Sequence, residues 1–318
     1  MKQNVVIQSM LFLILSAGIL AADWTQWRGA AGDGISQAKA LPTEWSEEKN
    51  LNWKTVLPGR GWSSPVISGD RIWVTAAHET LASEEASKKR LKSNTGSQPL
   101  TVLAKASFHA ICIDRDSGKI LYDVELFSVN EPQWVHRYNS YASPTPVIDE
   151  GHVYCHFGTY GTACIEGSSG KVLWKNLDLH CMHENGPGGS PVIAGDVLFF
   201  HMDGSDKQYV VALNKKDGTI AWKTNRSGKL HTNPQLKKAY STPLVKSRDG
   251  VDELISAGAN WVYGYDPATG AEKWKVDYER LGFSNVARPV TGGGMLFLST
   301  CFMRAEMLGI SLTGDPEI

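Results

Sequence analysis

Asp266-Pro267-Ala268-Thr269-Gly270-Ala271-Glu272-Lys273-Trp274-Lys275 is the stretch that orders the rest of the 318-residue sequence. Earlier versions read Asn214-Lys215-Lys216-Asp217-Gly218-Thr219-Ile220-Ala221-Trp222-Lys223 and Glu166-Gly167-Ser168-Ser169-Gly170-Lys171-Val172-Leu173-Trp174-Lys175. A fourth, Asp114-Arg115-Asp116-Ser117-Gly118-Lys119-Ile120-Leu121-Tyr122, carries Tyr in place of Trp. Their glycines stand at 118, 170, 218 and 270, so successive copies are 52, 48 and 52 residues apart. In each copy an apolar run ends at an Asp, Asn or Glu that can cap a turn. Gly then supplies the positive φ the turn needs, and a short strand ends in the aromatic.

A fixed period of about 40–50 residues with several short strands per unit is the signature of a β-propeller blade. The expected fold is therefore all-β, a propeller of four-stranded blades with about five visible. Each blade opens on a Pro-initiated strand: Ser64-Pro65-Val66, Ser143-Pro144-Thr145-Pro146-Val147, Ser190-Pro191-Val192, Thr242-Pro243-Leu244 and Arg288-Pro289-Val290. Proline is tolerated there because the first residue of a strand owes no ladder hydrogen bond. Second strands are expected at 71–75, 152–157, 197–201 and 295–299, and third strands at 108–114, 162–166, 209–214, 261–266 and 308–312. Five starts and four complete endings result. The last unit stops at Thr313–Ile318, where its final strand is due. Two closures fit. The chain is a fragment of a larger ring, the preferred reading, or Leu51–Val56, which resembles a closing strand without its turn, completes a five-bladed ring.

The expected organisation is a signal peptide at 1–22, an extended aromatic-studded arm at 23–50, and an incomplete propeller at 51–318. The signal rests on Lys2, the apolar run Met10–Leu20 and the small residues Ala21-Ala22. It implies a periplasmic or secreted protein with no transmembrane segment once cleaved. An insertion is expected at 78–105, with Glu84-Glu85-Ala86-Ser87-Lys88-Lys89-Arg90 as a solvated helix face. The long links 127–137 and 226–238 are expected around the mouth of the central channel, where recognition loops sit.

Net charge is −1 and pI about 6.8, which gives no electrostatic reason to expect nucleic acid. Five cysteines (112, 155, 164, 181, 301) include no CxxC or haem motif. Cys112 and Cys164 occupy the repeat position of Ala212 and Gly264, which suits small thiols packed beneath the aromatic.

On these motifs the chain resembles the PQQ-like (pyrroloquinoline-quinone-type) β-propeller repeat proteins over about 50–318. The resemblance implies that Gly118, Tyr122, Gly170, Trp174, Gly218, Trp222, Gly270 and Trp274 dock blade on blade. Members usually form eight-bladed rings, which favours the fragment reading. The group includes quinoprotein dehydrogenases, which hold PQQ and Ca²⁺ in the channel, and an outer-membrane assembly lipoprotein, although here no Cys follows the apolar run. A quinone site needs oxygen ligands for a hard cation, a carboxylate base and flat faces. The residues entering the first strands are Arg60, Trp62, Asn139, Tyr141, Asn185, Tyr240, Asn285 and Arg288, with Glu184 the one carboxylate near a blade start. That set favours recognition of a small ligand or an envelope protein at the channel mouth over PQQ/Ca-dependent oxidation of alcohols or sugars. Neither cofactor nor metal nor catalytic residue is expected. His180-Cys181-Met182-His183-Glu184-Asn185, with His201 and Asp203, matches no zinc template. Asp203-Gly204-Ser205-Asp206 lacks the downstream Glu of a calcium loop.

Overall fold

The computed structural model describes residues 23–39, 41–94, 96, 98–248, 250–278, 282–300, 302 and 304–313. The expected signal peptide, Cys301 and residues 314–318 lie outside the described residues. In chain order the elements begin with β1 (Val66–Ser68), β2 (Arg71–Leu81), α1 (Glu84–Leu91), the short β3 (Leu100–Thr101), β4 (Leu103–Asp114), β5 (Ile120–Asn130) and β6 (Val135–His136). Next come β7 (Val147–Asp149), β8 (His152–His156), β9 (Thr162–Glu166) and β10 (Val172–Asn176), followed by β11 (Val192–Ala194), β12 (Val197–Asp203), β13 (Gln208–Asn214) and β14 (Ile220–Asn225). The last two sheets hold β15 (Leu244–Arg248), β16 (Val251–Ala257), β17 (Trp261–Tyr265), β18 (Glu272–Asp277), and β19 (Val290–Gly292), β20 (Met295–Ser299), β21 (Met307–Ser311).

The fold is all-β. Four sheets are four-stranded antiparallel meanders, β1-β2-β4-β5, β7-β8-β9-β10, β11-β12-β13-β14 and β15-β16-β17-β18; a fifth, β19-β20-β21, has three strands. β3 and β6 form a small separate pair. The inner strands β1, β7, β11 and β15 neighbour one another in that order, so the sheets stand like blades around an axis. Two differences from the sequence reading matter. β2 and β4 pair as far as Leu81 with Leu103, past a bulge after Thr80, so the insertion is shorter than 78–105 and its connecting part is 82–102. β16 fills the second-strand place of the fourth blade, where turn residues obscure the apolar alternation of Val251–Ala257.

One device joins the blades at their outer edge. In four sheets the register slips at the same repeat position, leaving Leu121, Leu173, Ala221 or Lys273 unopposed. Such a bulge re-aims the next side chain, here the aromatic. Tyr122, Trp174, Trp222 and Trp274 then stand across from Cys112, Cys164, Ala212 and Gly264, where only a small residue leaves room. Trp174 lies on Gly218 and Trp222 on Gly270, where a Cβ would come within 2.4 Å of either indole. These turn glycines also hold φ of 73° and 72°, so Gly is required on two counts. The indole nitrogens donate to Lys215 O (2.7 Å) and Pro267 O (2.8 Å), and the Tyr122 hydroxyl to Ser168 O (2.7 Å). Two residues on, Asn176 and Thr224 donate to Gly218 O and Gly270 O at 2.8 and 2.7 Å.

Trp53 and Thr55 repeat this dock on the first blade. Trp53 lies on Gly118 and donates to Arg115 O at 2.9 Å, and Thr55 donates to Gly118 O. Residues 51–56 thus occupy the docking place of a preceding blade's last strand without being strand themselves, and they do not belong to the sheet of β21. The arm at 23–39 crosses the face opposite the mouth: Trp24 pairs with Ile67, Thr25 O accepts from Ile148 N (2.7 Å), and Gly32 O accepts from Arg288.

The four described cysteines are buried and free. Burial pushes the thiols of Cys112 and Cys164 up to about 12, so they pack as small apolar groups.

Candidate recognition site at the mouth of the propeller

The inner ends of the blades are joined by a second repeated device, which the sequence reading missed. Ser64 N donates to Thr145 Oγ1, Thr145 N to Ser190 Oγ, and Ser190 N to Thr242 Oγ1, each at 3.0 Å. In every case a Ser or Thr precedes a proline. The proline has no N–H, so the amide before it is the last donor ahead of the strand, and the neighbouring blade's hydroxyl satisfies it. The signal was present as Ser/Thr-Pro at the first four blade starts. At the fifth start Arg288 takes the place of the hydroxyl residue, and its Nε donates to Pro243 O at 3.1 Å.

Above this ring the entering loops converge on a furrow of two adjoining cavities. One, about 390 Å³, is lined by Trp62, His136, Tyr138, Asn139, Ser143, Asn185, Gly188, Tyr240 and Val286. The other, about 420 Å³, shares His136, Asn185, Tyr240 and Val286 and adds Phe283, Phe302, Gln235 and Lys238 among others. Its rim exposes apolar area: Trp62 is 54% exposed, Tyr138 76%, Val286 59% and Phe302 51%. Hydrogen bonds fix the walls. Trp62 Nε1 donates to Tyr138 O (3.0 Å), Asn139 Nδ2 to Asn185 O (2.7 Å), the Tyr240 hydroxyl to His183 O (2.8 Å), and Tyr240 N to Asn285 O (2.7 Å). Arg60 stacks on Trp62 with its guanidinium 5.1 Å from the ring centre and donates to Arg137 O.

The eight residues expected at the mouth therefore divide. Trp62, Asn139, Asn185 and Tyr240 line one cavity, Arg60 backs Trp62, and Asn285 is fully buried behind the wall, bonded to Tyr278. Tyr141 and Arg288 do not reach it. Tyr141 is fully buried and donates to Gln133 O at 2.6 Å, completing a core of aromatic rings. Arg288 faces the arm, donating to Gly32 O at 3.0 Å; burial, with Arg28 nearby, lowers it to about 10. Residue type at a blade start is thus a poor guide to direction, because the loops differ in length. Gln235 and Lys238 belong to the link 226–238 expected at the mouth, whereas Phe283, Val286 and Phe302 escaped notice because none belongs to the repeat.

The floor is polar and closed. Asp203 accepts from Arg226 Nε (3.1 Å) and Nη2 (2.6 Å), and Arg226 Nη2 also donates to Ser256 Oγ at 2.8 Å. Burial penalises the guanidinium, but Asp203 and the Tyr265 and Tyr263 oxygens outweigh it and hold Arg226 above its ordinary value. His156, His183 and His201 line a space of only about 10 Å³ with Asp203, room for about one water. Burial, the main cause, lowers the three to about 3, 4 and 4, so they are neutral at pH 7. The suspected cluster at 180–185 is partly engaged: His183 Nε2 accepts from Thr159 N (2.9 Å), His183 N donates to Gln133 Oε1 (2.9 Å), and Glu184 Oε1 accepts from Ser205 (2.9 Å), while Glu184 Oε2 and Asn185 Oδ1 have no hydrogen-bond partner among the described residues. Gly204 N donates to Lys207 O across a turn at 2.8 Å. Buried Lys238 donates to Gln235 Oε1 at 2.7 Å, and burial lowers its ammonium while Glu184 opposes. A flat tricyclic quinone with a hard cation does not fit this floor: the space is too small, and its carboxylate is already held by Arg226.

Four bladed meanders with one docking motif at their rims correspond to a known sequence family. The profile described as "Outer membrane protein assembly factor BamB" matches residues 89–275, more than half of the chain. The chain belongs to that family. A curated relative, outer membrane protein assembly factor BamB of Moranella endobia (strain PCIT), is 24% identical over 231 residues, 66% of this chain and 56% of that protein. Among solved structures, a europium-containing methanol dehydrogenase superposes with a TM-score of 0.54 at 11% identity, covering 93% of this chain and 57% of that one. BamB from Moraxella catarrhalis gives 0.48 at 16% identity over 69% of this chain and 60% of its own. The chain spans somewhat over half the length of these proteins. At such identities the dehydrogenase likeness is one of fold. Among the described residues no helix is long and apolar enough to cross a membrane.

Proposed function

We propose that this BamB-family chain is a binding scaffold of outer-membrane protein assembly that seats a segment of a partner protein in the furrow at the channel mouth. The observation that carries the reading is the apolar rim of Trp62, Tyr138, Val286 and Phe302, held open above a hydrogen-bonded ring. Exposed apolar area of this kind around a pocket marks an interaction surface, and Trp and Tyr are the residues that most often dominate binding energy. The polar edges, Asn139, Asn185, Gln235 and Lys238, would fix the orientation of the seated segment. Membership of a family named for outer-membrane protein assembly supplies the class of partner, and the amino-terminal Lys2–Ala22 pattern agrees with an exported chain. Oxidation of alcohols with PQQ and calcium is the weaker reading, because the floor does not fit that cofactor.

The test is photo-crosslinking in cells with a reactive residue at Tyr138 or Phe302, and at Leu173 on the outer rim as the control. The mouth positions are expected to trap an outer-membrane assembly component or a β-barrel client, and Leu173 to trap neither. Equal trapping at all three positions, or none at the mouth, would remove the reading.

A further inference from the structure

His78 on β2, His109 on β4 and Asp123 on β5 meet on the face of the first blade that residues 51–60 cover, away from the furrow. One ligand atom from each lies within 4.8 Å of the others. The two imidazoles stack face to face, 4.0 Å between centres and 9° between planes. His109 Nδ1 is 2.7 Å from Asp123 Oδ1, and its Nε2 is 3.0 Å from Ser107 Oγ and 3.9 Å from Glu125 Oε2. His78 Nε2 is buried and has no hydrogen-bond partner. Buried ring nitrogens are normally bonded, so an orphan beside a second imidazole and two carboxylates asks for a partner. Packing does not explain the set, since the same face of the sheet is apolar further along, at Ile72, Val74, Ile111 and Ile113.

We propose that His78, His109 and Asp123 bind a divalent transition-metal ion, zinc in the first instance, with Glu125 within reach as a fourth ligand. Two imidazoles and a carboxylate suit zinc; calcium and magnesium prefer oxygen alone. Parallel rings cannot both aim a lone pair at one ion, so the stack opens on binding. His78 is the ring that would move, since it is half-buried and its Nε2 has no hydrogen bond to break, and Gly59 packed against its Cδ2 leaves no side chain in the way. The ion would tie together the three strands that make this blade longer than the others, β2, β4 and β5 at 11, 12 and 11 residues. Its seat lies beside the Ala77–Arg60 bridge that leads to Trp62. The sequence reading did not single out these residues because they are spread over three strands and 46 positions, with no template spacing.

The experiment uses tag-free full-length protein, stripped with chelator and titrated with zinc chloride by calorimetry, then with cobalt as a spectroscopic probe. The result expected is one equivalent bound, a raised Tm, slower amide exchange in 76–81 and 103–109, and a tetrahedral cobalt spectrum. His78→Gln and Asp123→Asn should each weaken binding by ~100-fold or more. Asp123 is the most exposed of the three ligands, so its variant stays informative if His78→Gln does not fold. Absence of saturable one-to-one binding, or binding unchanged in Asp123→Asn, would overturn the assignment.

Discussion

At the outer rim the same parts recur from blade to blade: a bulge, an aromatic and a turn glycine beneath it, with Asn176 and Thr224, two residues after their tryptophans, reaching the glycine carbonyl. At the mouth nothing recurs in register. Trp62, Asn139, Asn185 and Tyr240 stand two, six, five and two residues before the anchors Ser64, Thr145, Ser190 and Thr242, and the walls they form are joined by one-off hydrogen bonds. The rim solves a problem every blade has, namely how to hold its neighbour, so one solution serves throughout. On the proposed function the mouth would meet a partner from outside the blades, with each loop contributing once. Between them lies a floor of buried charge and neutral histidine that belongs with the rim in energetic terms and with the mouth in position.

The comparison can be attacked at five points. Arg226→Ala should do the most damage, about 3–5 kcal/mol in urea unfolding, because it leaves Asp203 buried without its partner. Acid should act on the same floor. His156, His183 and His201 sit at about 3, 4 and 4 when folded, below the ~6.5 of an unfolded chain. The unfolded state therefore takes up protons first as pH falls. The histidines' contribution is complete well above pH ~6.5 and is lost as pH drops toward their folded values, roughly 2 kcal/mol per histidine by pH 5. Denaturant midpoints measured from pH 7.5 to 5 read it out. Gly218→Ala should cost roughly 2–3 kcal/mol, since the new Cβ meets Trp174 and the backbone holds φ at 73°. Thr145→Ala should cost about 1–2 kcal/mol by leaving the Ser64 amide without its acceptor. Tyr138→Ala, 76% exposed at the mouth, should change stability by less than about 0.5 kcal/mol. Stability losses that are equal at Gly218 and Tyr138 would erase the distinction between rim and mouth.

The rim was legible in the sequence because its parts are local. Gly118, Gly170, Gly218 and Gly270 need positive φ, and each sits at one spacing from its own aromatic, so the period alone gives blade, turn and order. The partners of Tyr122, Trp174 and Trp222 lie in the next copy of the same motif, one period on, while Trp274 donates to Glu253 of its own blade. The mouth was legible only in part. Its residues could be named as those entering the first strands, but whether a side chain there faces the furrow depends on loop length and on what else it can bond. Tyr141 finds Gln133 O and turns inward, and Arg288 finds Gly32 O, 256 residues away in sequence. Phe283 and Phe302 reach the furrow from a blade whose loops share no motif with the others. The Arg226–Asp203 pair joins two residues of the same blade 23 positions apart, neither of which has a spacing signature.

The claim that recognition resides in the mouth while stability resides in the rim is tested most directly by one pair of measurements on Trp62→Ala/Tyr138→Ala. Urea unfolding should place this double variant within about 1 kcal/mol of the parent, while crosslinking from Phe302 to an outer-membrane assembly partner falls at least ~5-fold, the loss of roughly 1 kcal/mol expected of an aromatic anchor. Unchanged crosslinking from a stably folded double variant would contradict the account.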